Sequence, residues 1–346
     1  MDPFGLIYWV AVSLSVVSGL TMGGLIVQRA IVNWHTRRRN FRKDFLTDKL
    51  LHHLEDPGKG DPFAEDLRRA DRRLLIELFA SLRPKLTGEY AQRLVELAQR
   101  LGFVEERLEA LRSRAWWRRV EACTALAWFQ EPRVVAALET ALDDKYHAVR
   151  VEAARALAQM GAVRSVRQLL DKLALETHER SLAVTDLFRM LAPTATREFV
   201  TVLKSDAPEP VKILAAEALG SSGNLDAVEA LVRLCRHPSA SLRICVLQAL
   251  GQLGDPRPAG VALSRLDDPV WEVRAQAAIT LGQLGHDDAI PKLNEHLNDA
   301  QWWVRYEAAN SLLRLGESGR ATLRSACSSA DPRVAEIAQA ILNERG

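Results

Sequence analysis

A spacing of 31 residues runs through this chain and constrains it more than any other feature. Asp268–Gly285, DPVWEVRAQAAITLGQLG, recurs as Asp299–Gly316, DAQWWVRYEAANSLLRLG, and earlier as Asp144–Gly161, DKYHAVRVEAARALAQMG. A basic residue falls at Arg119, Arg150, Arg180, Lys212, Arg243, Arg274 and Arg305, in steps of 31, 30, 32, 31, 31 and 31. An eighth unit continues through Asp331–Leu342 with Ala335 at the basic position, as suits a last repeat with no further neighbour. A fixed period of this length signals stacked supersecondary units, each unable to bury its apolar face alone.

Each unit reads as two helices. Val273, Ala277, Leu281 and Leu284 lie at i, i+4, i+8 and i+11, one apolar stripe at helical period. Gly282 and Gly285 are expected to stop the second helix. Asp255-Pro256 and Asp287 are start signals for the next first helix, for example Ala289–Asn298. Small residues such as Ala277 and Ala308 are expected to let neighbouring helices approach closely.

The pattern carried by Asp268, Trp271, Val273, Arg274, Ala277, Ala278, Leu281, Gly282, Leu284 and Gly285 resembles the HEAT repeat, in the short form also found in phycobilin-lyase-type proteins. The resemblance covers about Trp116–Leu342. It implies an all-α fold, an α-solenoid of stacked two-helix repeats. It also implies a ladder of Asp and Arg side chains linking successive units. An Asp lies six residues before the base in Asp144/Arg150, Asp206/Lys212, Asp268/Arg274 and Asp299/Arg305. The units of Arg119, Arg180 and Arg243 lack that Asp, so the ladder is expected to break there.

The N-terminus is of another kind. Pro3–Gln28 holds no charged residue across 26 positions, and about 20 apolar residues span a bilayer as a helix. A cleaved signal peptide needs a basic start and a shorter apolar core, whereas this chain begins Met1-Asp2. Arg29, Arg37, Arg38, Arg39, Arg42 and Lys43 follow the run, so the positive-inside rule places that side in the cytoplasm. The expectation is a single transmembrane helix in an inner or plasma membrane, with the N-terminus outside and the solenoid in the cytoplasm. Ala11, Ser15, Gly19 and Gly23 recur every four residues and form a small-residue face suited to packing on a second membrane helix. The basic stretch Arg37–Lys43 reads either as this topology signal or as a contact for anionic headgroups.

The chain accordingly divides into an anchor at 1–32, a basic juxtamembrane segment and linker at 33–62, helical cap or degenerate repeats at 63–115, and the solenoid at 116–346. Within the third segment Phe63–Leu82 reads as a helix broken by Pro84. Thr87–Leu101 follows behind a Thr cap, and Phe103–Leu111 follows Gly102.

No enzyme constellation is present in the sequence. There is no His/Cys cluster at zinc spacing, and Gly58-Lys59 lacks the rest of a phosphate loop. No metal or cofactor is expected. The cysteines Cys123, Cys235, Cys245 and Cys327 are scattered and read as small core residues. Of the total charge of +2, residues 1–43 carry +5, so residues 44–346 carry −3. A nucleic-acid binder needs a basic stripe on its folded part, so nucleic acid is not an expected partner.

Aromatic residues suggest a protein partner instead. On the second helix the face opposite the buried stripe carries Trp116, Trp117 and Trp128 in the first full repeat, Trp271 in the sixth, and Trp302, Trp303 and Tyr306 in the seventh. These residues are the candidate partner-binding set on the concave surface, expected as two aromatic clusters, one near each end of the solenoid, with Arg155, Arg189, Glu217 and Gln248 as polar complement in the middle repeats. A Trp three before the Arg is common in this repeat type and packs on the inter-repeat turn, an alternative open for Trp116, Trp271 and Trp302. The function expected is a non-enzymatic, membrane-tethered scaffold, an accessory subunit whose partner is an integral membrane protein. The alternative is a phycobilin-lyase-like or other enzyme using the concave groove as a ligand site.

Overall fold

Alternating short helices and tight turns build the chain, as a computed structural model describes for residues 37–55, 71–173 and 182–345 and for Met22, Gln28, Arg29 and Trp34. The candidate anchor Pro3–Gln28, its small-residue face and the linker lie outside the described residues, apart from Met22 and Gln28. Among the described residues no helix is long and apolar enough to cross a membrane. The chain forms two compact units, Met1–Glu106 and Arg107–Gly346.

In the first unit, helix α1 covers residues 37–55, α2 Asp71–Leu82 and α3 Gly88–Arg100; the division between the units falls within α4, Phe103–Ala110. Leu46, Leu50 and Leu54 of α1 recur every four residues and are buried, as are Leu75, Leu78 and Phe79 of α2. Pro84 sits in a 3-10 turn, Arg83–Lys85, and ends α2. Thr87 occupies the N-cap of α3, but its hydroxyl makes no capping bond. The basic stretch is partly consumed internally. Arg42 grips the buried carboxylate of Asp71 at 3.0 and 2.6 Å, and Arg39 holds Glu77 at 2.6 Å. Those two guanidiniums are therefore structural contacts of α1 with α2 rather than a purely topological signal.

The second unit alternates first (A) and second (B) helices. The A helices are α6 (Pro132–Ala141), α8 (Val166–Leu173), α11 (Val228–Leu234), α13 (Ala259–Arg265), α15 (Ile290–Glu295) and α17 (Gly316–Ala326). The B helices are α5 (Trp116–Leu126), α7 (His147–Gln159), α10 (Glu209–Ser221), α12 (Ala240–Leu253), α14 (Trp271–Leu284), α16 (Trp302–Arg314) and α18 (Pro332–Arg345). Helix α9, Leu182–Lys204, joins a B and an A helix across a kink at Ala195. In five other repeats the B-to-A turn is made by a glycine in the left-handed region, Gly161, Gly223, Gly254, Gly285 and Gly316, whereas residues 127–131 between α5 and α6 include none. The matching position in α9 is Ala192, followed by Pro193, so the chain turns by a kink instead.

The apolar stripe is the core. Val273, Ala277, Ala278 and Leu281 are fully buried, as are their counterparts Val304, Ala308, Ala309 and Leu312 one repeat on. Consecutive B helices α10, α12, α14 and α16 pack directly on one another. Their spacing is set by Gly220, Gly251 and Gly282, which recur every 31 residues. Gly282 does not stop its helix, as its sequence context suggests; it lies inside α14. A Cβ there would come within 2.8–3.0 Å of Ser311 on α16, and one at Gly220 within 2.7 Å of the Ala249 Cα on α12. Hydroxyls seal the same seam: Thr280 Oγ1 donates to the Leu247 carbonyl at 2.9 Å, and Ser311 Oγ to that of Ala278 at 2.7 Å. Ser311 is satisfied by backbone of the preceding repeat, and Thr280 shares its one proton between that backbone and the Gln276 carbonyl 2.8 Å away in its own helix.

Candidate partner-binding surface

The turn between A and B helices fixes where every candidate side chain lies. In the turns at Asp144, Asp268 and Asp299 the carboxylate accepts the backbone N–H two residues on, from Tyr146, Val270 and Gln301, at 2.8–3.1 Å. That bond aims the carboxylate at the preceding repeat. Asp144 takes Arg119 at 2.6 and 2.8 Å, Asp299 takes Arg274 at 2.8 and 2.9 Å, and Asp268 takes Arg243 at 2.8 Å. Each pair spans 25 residues and two repeats. The same arginines donate their other arm to the carbonyl six residues upstream in their own turn, as Arg150 and Arg305 also do.

The ladder therefore runs differently from the six-residue pairs expected. An Arg pairs with the next repeat's Asp, and its own repeat supplies only a carbonyl. Arg119 and Arg243, where a break was expected, are well paired; Arg180 lies outside the described residues. The irregular rungs are elsewhere. Lys212 has His237 in register, and Arg305 has Ala330, while Asp331 is held by Arg333.

Burial raises the carboxyl pKa of Asp144, but the Arg119 guanidinium and the Tyr146 N–H more than offset this and hold it below the usual carboxylate range. Asp299 behaves alike, with burial opposed by Arg274 and the Gln301 N–H. A carboxyl whose folded pKa is depressed contributes stability at pH values above its unfolded pKa, about 4, and that contribution is lost as pH falls through the folded value. The thermal midpoint is thus expected to be insensitive to these groups from pH 7 to 5 and to drop below about pH 4. Asp144→Asn with Asp299→Asn should flatten that acid limb. A wild-type midpoint unchanged at pH 3 would contradict the assignment.

The candidate aromatics gather in two places. Trp116, Trp271 and Trp302 are the first residues of α5, α14 and α16, so their rings lie at the edge carrying the turns. Trp302, Trp303 and Tyr306 form one cluster. Trp302 stacks on Tyr306 at 5.0 Å, and Trp303 meets them edge-on at 4.8 and 6.1 Å. Trp302 and Trp303 are 47% and 53% exposed, and Tyr306 is half-buried against the core. Trp116 and Trp117 form the other cluster at 6.2 Å, and Trp116 stacks on Tyr146 of the next turn, also at 6.2 Å. Trp128 and Trp271 are half-buried and join neither cluster. Tyr146 was missed by the sequence reading. It precedes α7 at the position held by Val270 and Gln301 in other repeats, and its aromatic character there is the signal that could have revealed it.

The stripe further along the B helices is polar: half-buried Glu217 and exposed Ser221 on α10, exposed Gln248 and Gln252 on α12, half-buried Gln276 and exposed Gln283 on α14. Arg189, Glu217, Gln248 and Gln252 line a cavity of about 410 Å3. Three of the four predicted polar complements thus converge; Arg155 is not among the lining residues. Cys123 and Cys235 are pushed up to about 12 by burial, so neither offers a thiolate nucleophile near neutral pH. Among the described residues no group of three or more His, Cys, Asp or Glu is placed to hold a metal ion.

The chain matches HEAT repeats over residues 104–185, 196–263 and 259–343, more than half of its length. It belongs to the HEAT-repeat family. The HEAT match includes Phe188 and Phe199 flanking the kink only in part, since residues 186–195 fall between its segments. Among solved structures, an engineered protein aligns with a TM-score of 0.38 and 18% identity over 88% of this chain and 95% of that one. The complex of CpcE and CpcF of phycocyanin lyase from Nostoc sp. PCC7120 aligns with a TM-score of 0.30 and 21% identity, over 70% of this chain and 94% of that one. Scores this low add no argument to the HEAT assignment. A comparison with curated proteins finds no match.

Proposed function

We propose that this HEAT-repeat chain is a membrane-tethered interaction scaffold, an accessory subunit of a membrane complex rather than an enzyme. The uncharged run Pro3–Gln28 serves as an uncleaved helical anchor, with the solenoid on the cytoplasmic side. Its Ala11, Ser15, Gly19 and Gly23 face docks on a membrane helix of the partner. The solenoid contributes the second contact through Trp302, Trp303 and Tyr306.

The observation that carries this reading is the exposed three-ring cluster on α16. Isolated exposed aromatics need no explanation, but two indoles about half exposed and held in mutual contact form a rigid apolar surface of the kind that anchors protein interfaces. The rings are pre-positioned by the first turn of a helix, so little side-chain entropy is lost on binding.

Trp303→Ala is the cleaner test, because Tyr306 also packs on the core. Affinity purification from detergent-solubilised native membranes should recover an integral membrane protein with wild type. Trp303→Ala should weaken that recovery by about 2 kcal/mol of binding, some thirtyfold, and Trp303→Ala/Tyr306→Ala should abolish it. Circular dichroism controls for equal helicity. Identical recovery with all three proteins would reject the α16 site.

A further inference from the structure

The two aromatic clusters have the same ring chemistry and different electrostatic settings. Around Trp302 and Trp303 the turn is Asn298, Asp299, Ala300 and Gln301, with Asp299 consumed by Arg274 and no base of its own; Arg333 of the next turn reaches Asn298 at 3.0 Å but is paired with Asp331 at 2.8 Å. Around Trp116 and Trp117 the turn supplies exposed Arg114 and Arg112, the latter in a loose 3.7 Å pair with Glu109, and the first turn of α5 supplies exposed Arg118. The next turn adds exposed Lys145, whose Nζ lies 5.1 Å from the Tyr146 ring centroid. The stacking of Tyr146 on Trp116 joins the two turns into one surface. Its adjacent acid, Asp144, is already neutralised by Arg119, and Asp143 is held by Lys172. Trp116, Trp117 and Tyr146 are 40%, 55% and 40% exposed.

We infer that this N-terminal edge of the solenoid is a seat for an anionic bilayer surface. The occupant follows from the combination. Indole and phenol rings present an apolar body and a polar tip, which suits them to the headgroup level of a membrane. Bases beside them are attracted by anionic lipid, each contributing roughly a fivefold change in surface affinity. Nucleic acid would need a basic stripe continued along the solenoid, which a charge of −3 over residues 44–346 does not supply. The inference rests on the proposed tether, which holds the solenoid within reach of a membrane. The division of labour is then explicit: the basic aromatic edge lies on lipid, and the uncharged cluster on α16 is left for protein.

The full-length chain is incorporated into vesicles of phosphatidylcholine, and into phosphatidylcholine mixed with phosphatidylglycerol. Flotation reports the tether, and hydrogen exchange of peptides spanning 111–121 and 143–150 reports the surface. The expected result is flotation with both vesicles, and exchange slowed roughly fivefold or more only in those containing phosphatidylglycerol. Raised salt should erase the difference. Arg114→Glu/Arg118→Glu should erase it too while leaving flotation intact. Equal exchange in both vesicles, or protection that survives this variant, overturns the inference. Protection that appears only on adding an acidic protein overturns it in favour of a protein partner. Flotation only with anionic vesicles, lost in the same variant, rejects the tether and leaves the lipid seat standing.

Discussion

Asp268→Ala is expected to destabilise the solenoid by about 3–5 kcal/mol, the cost of leaving a buried charge without its counter-ion. Asp268 and Arg243 are both buried, and the guanidinium spans α12 and the turn before α14. Removing the carboxylate strands that guanidinium and also frees the Val270 N–H. Stability in such arrays is carried by nearest-neighbour interfaces, so the loss should appear at one junction. Urea unfolding followed by circular dichroism should resolve a new early transition for the repeats beyond α12, in place of a uniform shift. Arg305→Ala is the internal comparison. Arg305 donates to the carbonyls of Asp299 and Ala300 and has Ala330 where other rungs have Asp, so its removal should cost less than half as much. Equal losses in the two variants would mean that the cross-repeat pairs contribute nothing special.

Gly220→Ala is expected to cost about 1–3 kcal/mol through overpacking, although alanine is the better helix former by about 0.5–1 kcal/mol. The added Cβ would lie 2.7 Å from the Ala249 Cα, and backbone of a packed helix cannot yield that distance locally. Gly282→Ala should behave alike, against Ser311 Cα at 3.0 Å. Gly251→Ala should not. The atom it meets at 2.0 Å is Gln283 Oε1, the end of a flexible exposed side chain, and Thr280 Cα is at an ordinary 3.5 Å. Three glycines at one repeat position are thus predicted to differ, with Gly251→Ala neutral or slightly stabilising. The same urea midpoints decide it, and a uniform loss at all three would show that the helix seam, not the individual neighbour, sets the cost.

Much of this architecture is legible in the chain. The 31-residue recurrence locates the B helices to within two residues, because a buried stripe at helical period and a turn glycine leave few alternatives. The apolar stripe begins at Val273, whereas the helix begins at Trp271, since the first turn carries a ring outside the buried stripe and leaves no trace in the apolar pattern. The kink in α9 is legible in retrospect from Ala192-Pro193 standing where other repeats place glycine. The candidate aromatics were legible as two groups, one near each end of the solenoid, but not the membership of each. Trp128 and Trp271 share the periodic face with the others yet join neither group, because ring contact depends on neighbouring turns rather than on helix phase alone.

Sequence by itself determined the repeat, its period, the identity of the buried stripe and the charge-free N-terminal run, all properties of residue order along one chain segment. Tertiary structure alone decided the ladder. An Asp six residues before an Arg looks like its partner, yet the Asx turn points the carboxylate backwards, to an Arg 25 residues earlier. The structure alone also turned Gly282 from an apparent stop signal into a point of helix contact, with Gly220 and Gly251 at the same repeat position, and gave one aromatic cluster a basic setting and the other a neutral one. The physical reason is common to all three. Periodicity fixes what each unit presents, whereas pairing is a property of the interface between units, and that interface exists only once they are stacked.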